Sequence, residues 1–147
     1  MPGFEPAAEE AWGLFWDIFT ADKGRRMTIM GELGLAPMQC MALMTLEPDE
    51  PKPMRALAES MRCDNSNVTG IVDRLESAGL VERRPGAHDR RVKEIALTAR
   101  GVSVREAAQR AMAVPPPPIA GLGGEDAEAL RDILARALDS AKSPTSQ

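Results

Sequence analysis

Aromatic side chains and the usual catalytic side chains are scarce in this 147-residue sequence. It has no tyrosine, one histidine and two cysteines, and its three phenylalanines and two tryptophans all lie before residue 20. It also has no glycine-rich phosphate loop, no Ser/His/Asp arrangement and no paired carboxylates at a catalytic spacing. Because catalysis needs such groups, the sequence predicts neither an enzyme nor a bound cofactor.

The two cysteines, Cys40 and Cys63, are far apart and lack the Cys or His companions of a tetrahedral metal site. We therefore predict two free thiols and no metal. Cys63 is the better candidate for a reactive thiol because it precedes a predicted helix. The chain also lacks an apolar run of about 18 residues and a charged-then-apolar leader. These absences predict a cytoplasmic protein without membrane contact.

A helix with one apolar side is predicted to follow Asp64, whose carboxylate is placed to cap it. Val68, Ile71, Val72 and Leu75 recur at i, i+3, i+4 and i+7, the spacing of one buried helical stripe. Winding at about 3.6 residues per turn leaves a polar face opposite the stripe. That face carries Asn65, Ser66, Asn67, Thr69, Gly70, Asp73 and Ser77.

Short hydrogen-bonding side chains on this polar face would let the helix approach a DNA major groove closely. Asparagine is also suited to pair with adenine N6 and N7. An ordinary solvated helix face has a similar composition, so the neighbouring segments have to decide between the two interpretations. On this helix, the residues predicted to contact DNA are Asn65, Ser66, Asn67, Thr69, Gly70 and Arg74.

A shorter helix is predicted just upstream, over residues 52–61. It opens with Pro53, whose missing N–H is harmless there, and Leu57 and Met61 repeat at i and i+4. Ala58 is small where two crossed helices would touch, and residues 62–64 match the length of the turn in a helix-turn-helix. The two helices are therefore predicted to pack as a unit.

A basic hairpin is predicted after a helix stop at Gly79. Strands over residues 81–84 and 92–97 flank an arginine-rich loop over 85–91, and concentrated arginine suits phosphate contact and a narrow minor groove. Asp89 is predicted to orient a nearby arginine through a charge-assisted bond. The predicted DNA contacts here are Arg84, His88, Arg90, Arg91 and Lys93, with a purely solvated position as the alternative for His88.

Three runs in this region carry a family resemblance: NVTGIVDRLESAGLV at 67–81, DRR at 89–91 and LTARG at 97–101. They resemble the MarR family of winged helix-turn-helix regulators, and the similarity extends over residues 35–141, with IAGLGGED at 119–126 near its end. The resemblance implies a triangular homodimer whose winged lobes bind double-stranded DNA at a pseudo-palindromic operator, usually to repress a nearby gene. It also implies that small, often aromatic or phenolic, effectors bind between arm and lobe. The chain departs from the family at Gly70, often a longer basic residue, and at the prolines of 115–118.

The two ends of the chain are predicted to form the arm of the dimer. Apolar residues recur at helical spacing in both: Trp12, Phe15, Trp16 and Phe19 at one end, and Leu130, Ile133, Leu134 and Leu138 at the other. Packing of the two stripes within one monomer is the alternative. The expected fold is mainly α with a small β-hairpin wing: dimerisation helix region 1–34, winged helix-turn-helix lobe 35–101, and C-terminal helices 102–147 completing the arm.

Two further features leave alternatives open. A helix started by Pro37 is predicted to pack through Met41, Leu43, Met44 and Leu46, and the nine methionines of the chain either fill the core or line an adaptable pocket. Because the net charge of the chain is −4, a positive potential that attracts DNA has to be confined to one part of the surface, such as the wing. A winged helix that has become a protein-interaction module, with weak or no DNA binding, is therefore the alternative function.

Overall fold

The computed structural model describes residues 3–142 and folds them into eight helices and one three-stranded antiparallel sheet. The helices are α1 (Pro6–Ala21), α2 (Lys23–Glu32), α3 (Pro37–Thr45), α4 (Met54–Met61), α5 (Asn65–Ser77), α6 (Ala99–Ala113), α7 (Pro117–Ala120) and α8 (Gly124–Lys142). The strands are β1 (Lys52–Pro53), β2 (Val81–Pro85) and β3 (Lys93–Leu97). The predicted fold class, mainly α with a small β-hairpin wing, is confirmed.

Helices α2 to α6 and the three strands form one compact unit, Ala21–Val114, which we call the lobe. Within it α3 packs against α4, α5 and α6, and α2 packs against α3 and α6. This compact unit is wider than residues 35–101, and the domain limits given from the sequence stay a prediction. Met30 of α2 and Ala108 of α6 join its hydrophobic core, which is the reason for the wider limits.

The core of the lobe consists of aliphatic side chains from its helices and its sheet. Leu43 of α3, Leu57 of α4 and Ile95 of β3 are fully buried, and each such side chain contributes about 1.5–3 kcal/mol. The predicted apolar stripe of α5 is confirmed by the burial of Val68, Ile71, Val72 and Leu75. Ala58, predicted at the crossing of α4 and α5, is also buried.

Helix α3 packs differently from its prediction at one residue. Leu43 and Leu46 are buried and Met44 is half-buried, but Met41 is 47% exposed. The buried side chains cluster on one side of the helix, and its winding puts Met41 on the opposite side. The prediction of core packing through Met41 is therefore wrong. Burial raises the pKa of the Cys40 thiol on the buried side, which makes this cysteine a poor nucleophile.

The strand order of the sheet is β1-β3-β2, with β3 antiparallel to both neighbours. Lys52 and Pro53 were predicted to start a helix, and that prediction is wrong: they pair with Ile95 and Glu94, and the helix starts only at Met54. Proline is tolerated there because β1 is an edge strand. The hairpin itself is confirmed, with its strands shifted by one residue at the loop.

A hydrogen-bonded joint links the end of α5 to the start of α6. Gly79 ends α5 with φ at +73°, a conformation that favours glycine. The Thr98 hydroxyl donates to the Gly79 carbonyl (2.6 Å) and accepts from the Gly101 N–H (3.0 Å), while the Thr98 N–H donates to the Leu80 carbonyl (3.1 Å). Thr98 therefore caps α6 and holds it against the turn that precedes β2.

Helices α1, α7 and α8 lie outside the lobe. Neither α1 nor α8 has a buried residue, and the Trp12 side chain is 63% exposed. Neighbouring aromatic rings on α1 stack on one another, with centroids 5.5 Å apart for Trp12 and Phe15 and 5.8 Å for Trp16 and Phe19. On α8, Leu130 is half-buried whereas Ile133, Leu134 and Leu138 are exposed. The alternative to a dimer arm is that the two stripes pack on each other within one chain. In the single chain most of these side chains remain exposed.

Candidate nucleic-acid interface

Helix α5 presents its polar face to solvent. Every residue predicted to contact DNA from this helix is exposed: Asn65, Ser66, Asn67, Thr69, Gly70 and Arg74. The Thr69 hydroxyl donates to the Asn65 carbonyl at 2.8 Å, which leaves its oxygen able to accept a further bond. Asp64 occupies the N-cap position, but its carboxylate accepts no capping hydrogen bond, so the predicted capping interaction is wrong. Its extended backbone and the packing of the stripe are enough to start the helix there.

Gly70 lies on this face without a packing reason to be glycine. A Cβ built at this position meets no heavy atom within 4 Å, and Gly70 is not among the glycines with positive φ. Glycine in a helix interior costs about 1 kcal/mol relative to alanine. Its position opposite the buried stripe makes this turn the slimmest part of the exposed face.

The wing, which we define as residues 81–97, has a tightly folded tip. The Gly86 N–H donates to the Val92 carbonyl at 2.8 Å, and a Cβ at residue 86 would lie 2.6 Å from the Asp89 carbonyl oxygen. Asp89 Oδ1 accepts the backbone N–H of Arg91 at 3.0 Å. The partner of Asp89 is thus the backbone of an arginine and not its guanidinium, which differs from the predicted charge-assisted bond. In the sequence, Gly86 is one of several residues of the predicted loop, and nothing local marks this close approach.

The arginine, lysine and histidine side chains of the wing fall into two groups. His88, Arg90, Arg91 and Lys93 are exposed, and within residues 3–142 none of them belongs to an ion pair. Arg84, by contrast, pairs with Glu82 on the same strand. Arg84 and Arg90 also line an open recess at the wing tip. The unpaired group is therefore the part of the wing best able to exchange solvent ions for phosphates.

Arg83 is the wing cation whose position the sequence did not predict. Val81 is buried, and Arg83, two residues further along β2, lies on the same sheet face, next to α5. Its Nη2 donates to Asp73 Oδ1 at 2.5 Å and its Nη1 to Glu76 Oε1 at 2.7 Å. The bond from Asp73, with further support from Glu76, raises the pKa of Arg83. The signal available in the sequence was the i, i+3 pair of carboxylates on α5 together with the alternation along β2.

Residues 35–93, from the start of α3 to the wing, match the family model described as "MarR family". Over this segment the chain is similar to the MarR family. It is 32% identical over 89 residues to the HTH-type transcriptional regulator YfiV of Bacillus subtilis (strain 168), a match covering 60% of this chain and 56% of YfiV. The chain spans about half the length of the curated relatives it matches.

Two solved structures show how much of the fold is shared. A MarR family protein from Bacillus stearothermophilus superposes with a TM-score of 0.79 at 22% identity, over 96% of this chain and 99% of that one. The S. aureus MepR–DNA complex gives a TM-score of 0.61 at 21% identity, over 88% of this chain and 98% of that one. At these identities the likeness establishes the winged-helix fold.

The curated relatives that this chain matches are named as HTH-type regulators or repressors of transcription. The absence of catalytic activity stays a prediction. As to membranes, the helices within residues 3–142 are all too short or too polar to cross a bilayer.

Proposed function

We propose that this protein is a MarR-family regulator of transcription that binds specific DNA sequences, in which α5 enters the major groove and the wing contacts the backbone or the minor groove beside it. The observation that carries the proposal is the pairing of an exposed, short, polar helix face with four unpaired wing side chains, His88, Arg90, Arg91 and Lys93, on one lobe. Polar groups on the helix can read base edges, whereas the cations supply sequence-independent affinity. MepR has a similar fold and has been solved in complex with DNA, which supports the assignment.

The functional form in this proposal is a homodimer on a pseudo-palindromic operator. Its arm is made from the exposed stripes of α1 and α8, which include Trp12, Trp16 and Leu134. Large apolar side chains exposed along two helices call for a partner, and a second copy of the chain provides an identical pair of stripes. A two-fold dimer would bring two α5 helices to half-sites about 34 Å apart, one turn of DNA.

Repression and release by an effector complete the proposal. A dimer bound across a promoter blocks other proteins from the same DNA. Core filling accounts for buried or half-buried methionines such as Met61 and Met44, but Met27, Met38 and Met41 are exposed on α2 and α3. Flexible thioether side chains adapt to varied apolar ligands. These methionines therefore support the binding of a small aromatic or phenolic effector that lowers operator affinity.

The assignment of groove and backbone roles is tested by comparing Arg91→Ala with Asn67→Ala. Arg91→Ala should weaken binding to every duplex and reduce the magnitude of the log–log salt slope by about 0.9, the contribution of one phosphate contact. Asn67→Ala should instead change preference among sites by about 1–3 kcal/mol at one base pair. Binding titrations at several salt concentrations would measure both, on duplexes selected by the wild-type protein from a random pool.

Equal losses on every duplex from Asn67→Ala would contradict the groove assignment. The wild-type titration also distinguishes DNA binding from the alternative function, a protein-interaction module. That alternative draws support from the net charge of −4 and from the acidic partners that Arg83 and Arg84 already have. An interaction module would show no preference for any duplex and no steep salt dependence.

Gly70→Arg should turn the slim turn of α5 into an additional phosphate contact. The surrounding space is open, so the new side chain enters without a clash, and its charge points to the same side as Ser66 and Asp73. We expect tighter binding to random duplexes and a salt slope steeper by about 0.9. Gly31→Arg, on α2 with equally open surroundings, is the matched control. The same change of slope in both variants would show that added charge acts wherever it is placed, which contradicts the orientation proposed for α5.

A further inference from the structure

Arg83 differs from the other wing cations in what its donors already contact. Its guanidinium bonds Asp73 through Nη2 (2.5 Å) and Glu76 through Nη1 (2.7 Å), and its backbone N–H donates to Glu76 Oε2 (3.2 Å). Its side chain is 26% exposed, compared with 61% for Asp73 and 42% for Glu76. The arginine is thus partly covered, and the two carboxylates are the more accessible side of the cluster.

The carboxylates lie where they would oppose DNA. Asp73 follows Thr69 and Gly70 along α5 at the spacing of one helical turn, so it lies on the side of the helix that we assign to the groove. Unpaired carboxylates near phosphates cost binding energy through like-charge repulsion. A fixed positive charge between them would remove that cost and tie the wing to the helix.

We propose that Arg83 is a positioning residue for DNA binding: it neutralises Asp73 and Glu76 and fixes β2 of the wing against α5, and it does not itself contact the duplex. This inference rests on the proposed function. A phosphate contact would require the guanidinium to give up its two hydrogen bonds to carboxylates. Hydrogen bonds between charged groups are stronger than those between neutral groups. The raised pKa of Arg83 agrees with the pairing.

The neighbouring arginine is the natural comparison. Arg84 lies on the opposite face of β2, pairs with Glu82 and is 51% exposed. It has no contact with α5 carboxylates, so its contribution to DNA binding should not depend on Asp73 or Glu76. The same residue type at adjacent positions therefore has two different roles in this proposal.

A double-mutant cycle separates the two possible roles of Arg83. Arg83→Met is made in the wild-type protein and in the Asp73→Asn/Glu76→Gln background, and the Kd is measured on the selected duplex. If Arg83 is a positioning residue, its loss should weaken binding about tenfold in the wild-type protein. In the carboxylate-free background the loss of affinity should be less than about threefold, because no charged carboxylate remains on α5 for Arg83 to neutralise or to bind. Arg83→Lys, which keeps the charge, should recover part of the affinity in the wild-type background.

Two controls make each outcome decisive. Arg84→Met should weaken binding by the same factor in both backgrounds, and thermal melting of every variant should show that the lobe is folded. Equal losses from Arg83→Met in both backgrounds, with the salt slope reduced in magnitude by about 0.9 in each, would make Arg83 a phosphate ligand and overturn the inference. A wild-type protein without affinity for any duplex would instead overturn the proposed function, and the role of Arg83 with it.

Discussion

Replacing Gly101 with alanine is expected to destabilise the lobe by about 3 kcal/mol or more. This is the largest loss of stability that we expect from a substitution that removes no side-chain contact. A Cβ at residue 101 would lie 1.8 Å from the Leu80 carbonyl oxygen and 2.9 Å from its carbon. The obstacle is backbone, and that oxygen accepts the Thr98 N–H at 3.1 Å. The Gly101 N–H is also bound to the Thr98 hydroxyl. Neither the turn at Leu80 nor the first turn of α6 can move away without losing a hydrogen bond.

Urea denaturation followed by circular dichroism would measure the loss of stability. Gly31→Ala is the matched control, because residue 31 is also a helical glycine and a Cβ there meets nothing within 4 Å. That variant should be neutral or more stable by up to about 1 kcal/mol. Similar stabilities for the two variants would mean that the close approach of α6 to Leu80 does not hold in solution.

The second large effect is expected on assembly. In the Trp12→Ala/Trp16→Ala variant the apolar stripe of α1 loses both indoles, whose centroids are 6.2 Å apart in a tilted arrangement and which are exposed on the single chain. Under the proposed function the dimer should dissociate. Operator affinity should then fall by about 100-fold or more, since each half-site is bound without the second lobe held nearby. The lobe should keep its own stability, because none of its buried residues is changed.

Sedimentation velocity and operator titration at matched protein concentrations would test both parts. Met41→Ala, which removes an exposed apolar side chain from α3 of the lobe, is the control and should leave the oligomeric state unchanged. A double variant that remains dimeric would refute the role given to α1. A monomeric variant that binds the operator with undiminished affinity would refute the need for a dimer.

Local patterns predicted much of the lobe because they report short-range physics. The i, i+3, i+4, i+7 stripe of α5 and the stop at Gly79 depend on one helix and one turn, and both are confirmed. The failures involve partners distant in sequence or details of geometry. Lys52 and Pro53 became a strand because β3, some forty residues later, offers them an edge. Met41 fits a helical core pattern in the sequence, but only the packing of α3 against its neighbours selects which arc is buried.

What the sequence by itself determined is the helix pair α4 and α5, the hairpin, the family resemblance and the arginine-rich wing, since periodicity, turn residues and composition are local properties. What only the tertiary structure decided is which arginines remain unpaired. Arg83 and Arg91 are eight residues apart in the same basic segment. The fold places Arg83 against Asp73 and Glu76 of α5 and leaves Arg91 exposed at the wing tip. Because charge pairing depends on distance in space, and the chain sets that distance only by folding, this difference could not be read from the order of residues.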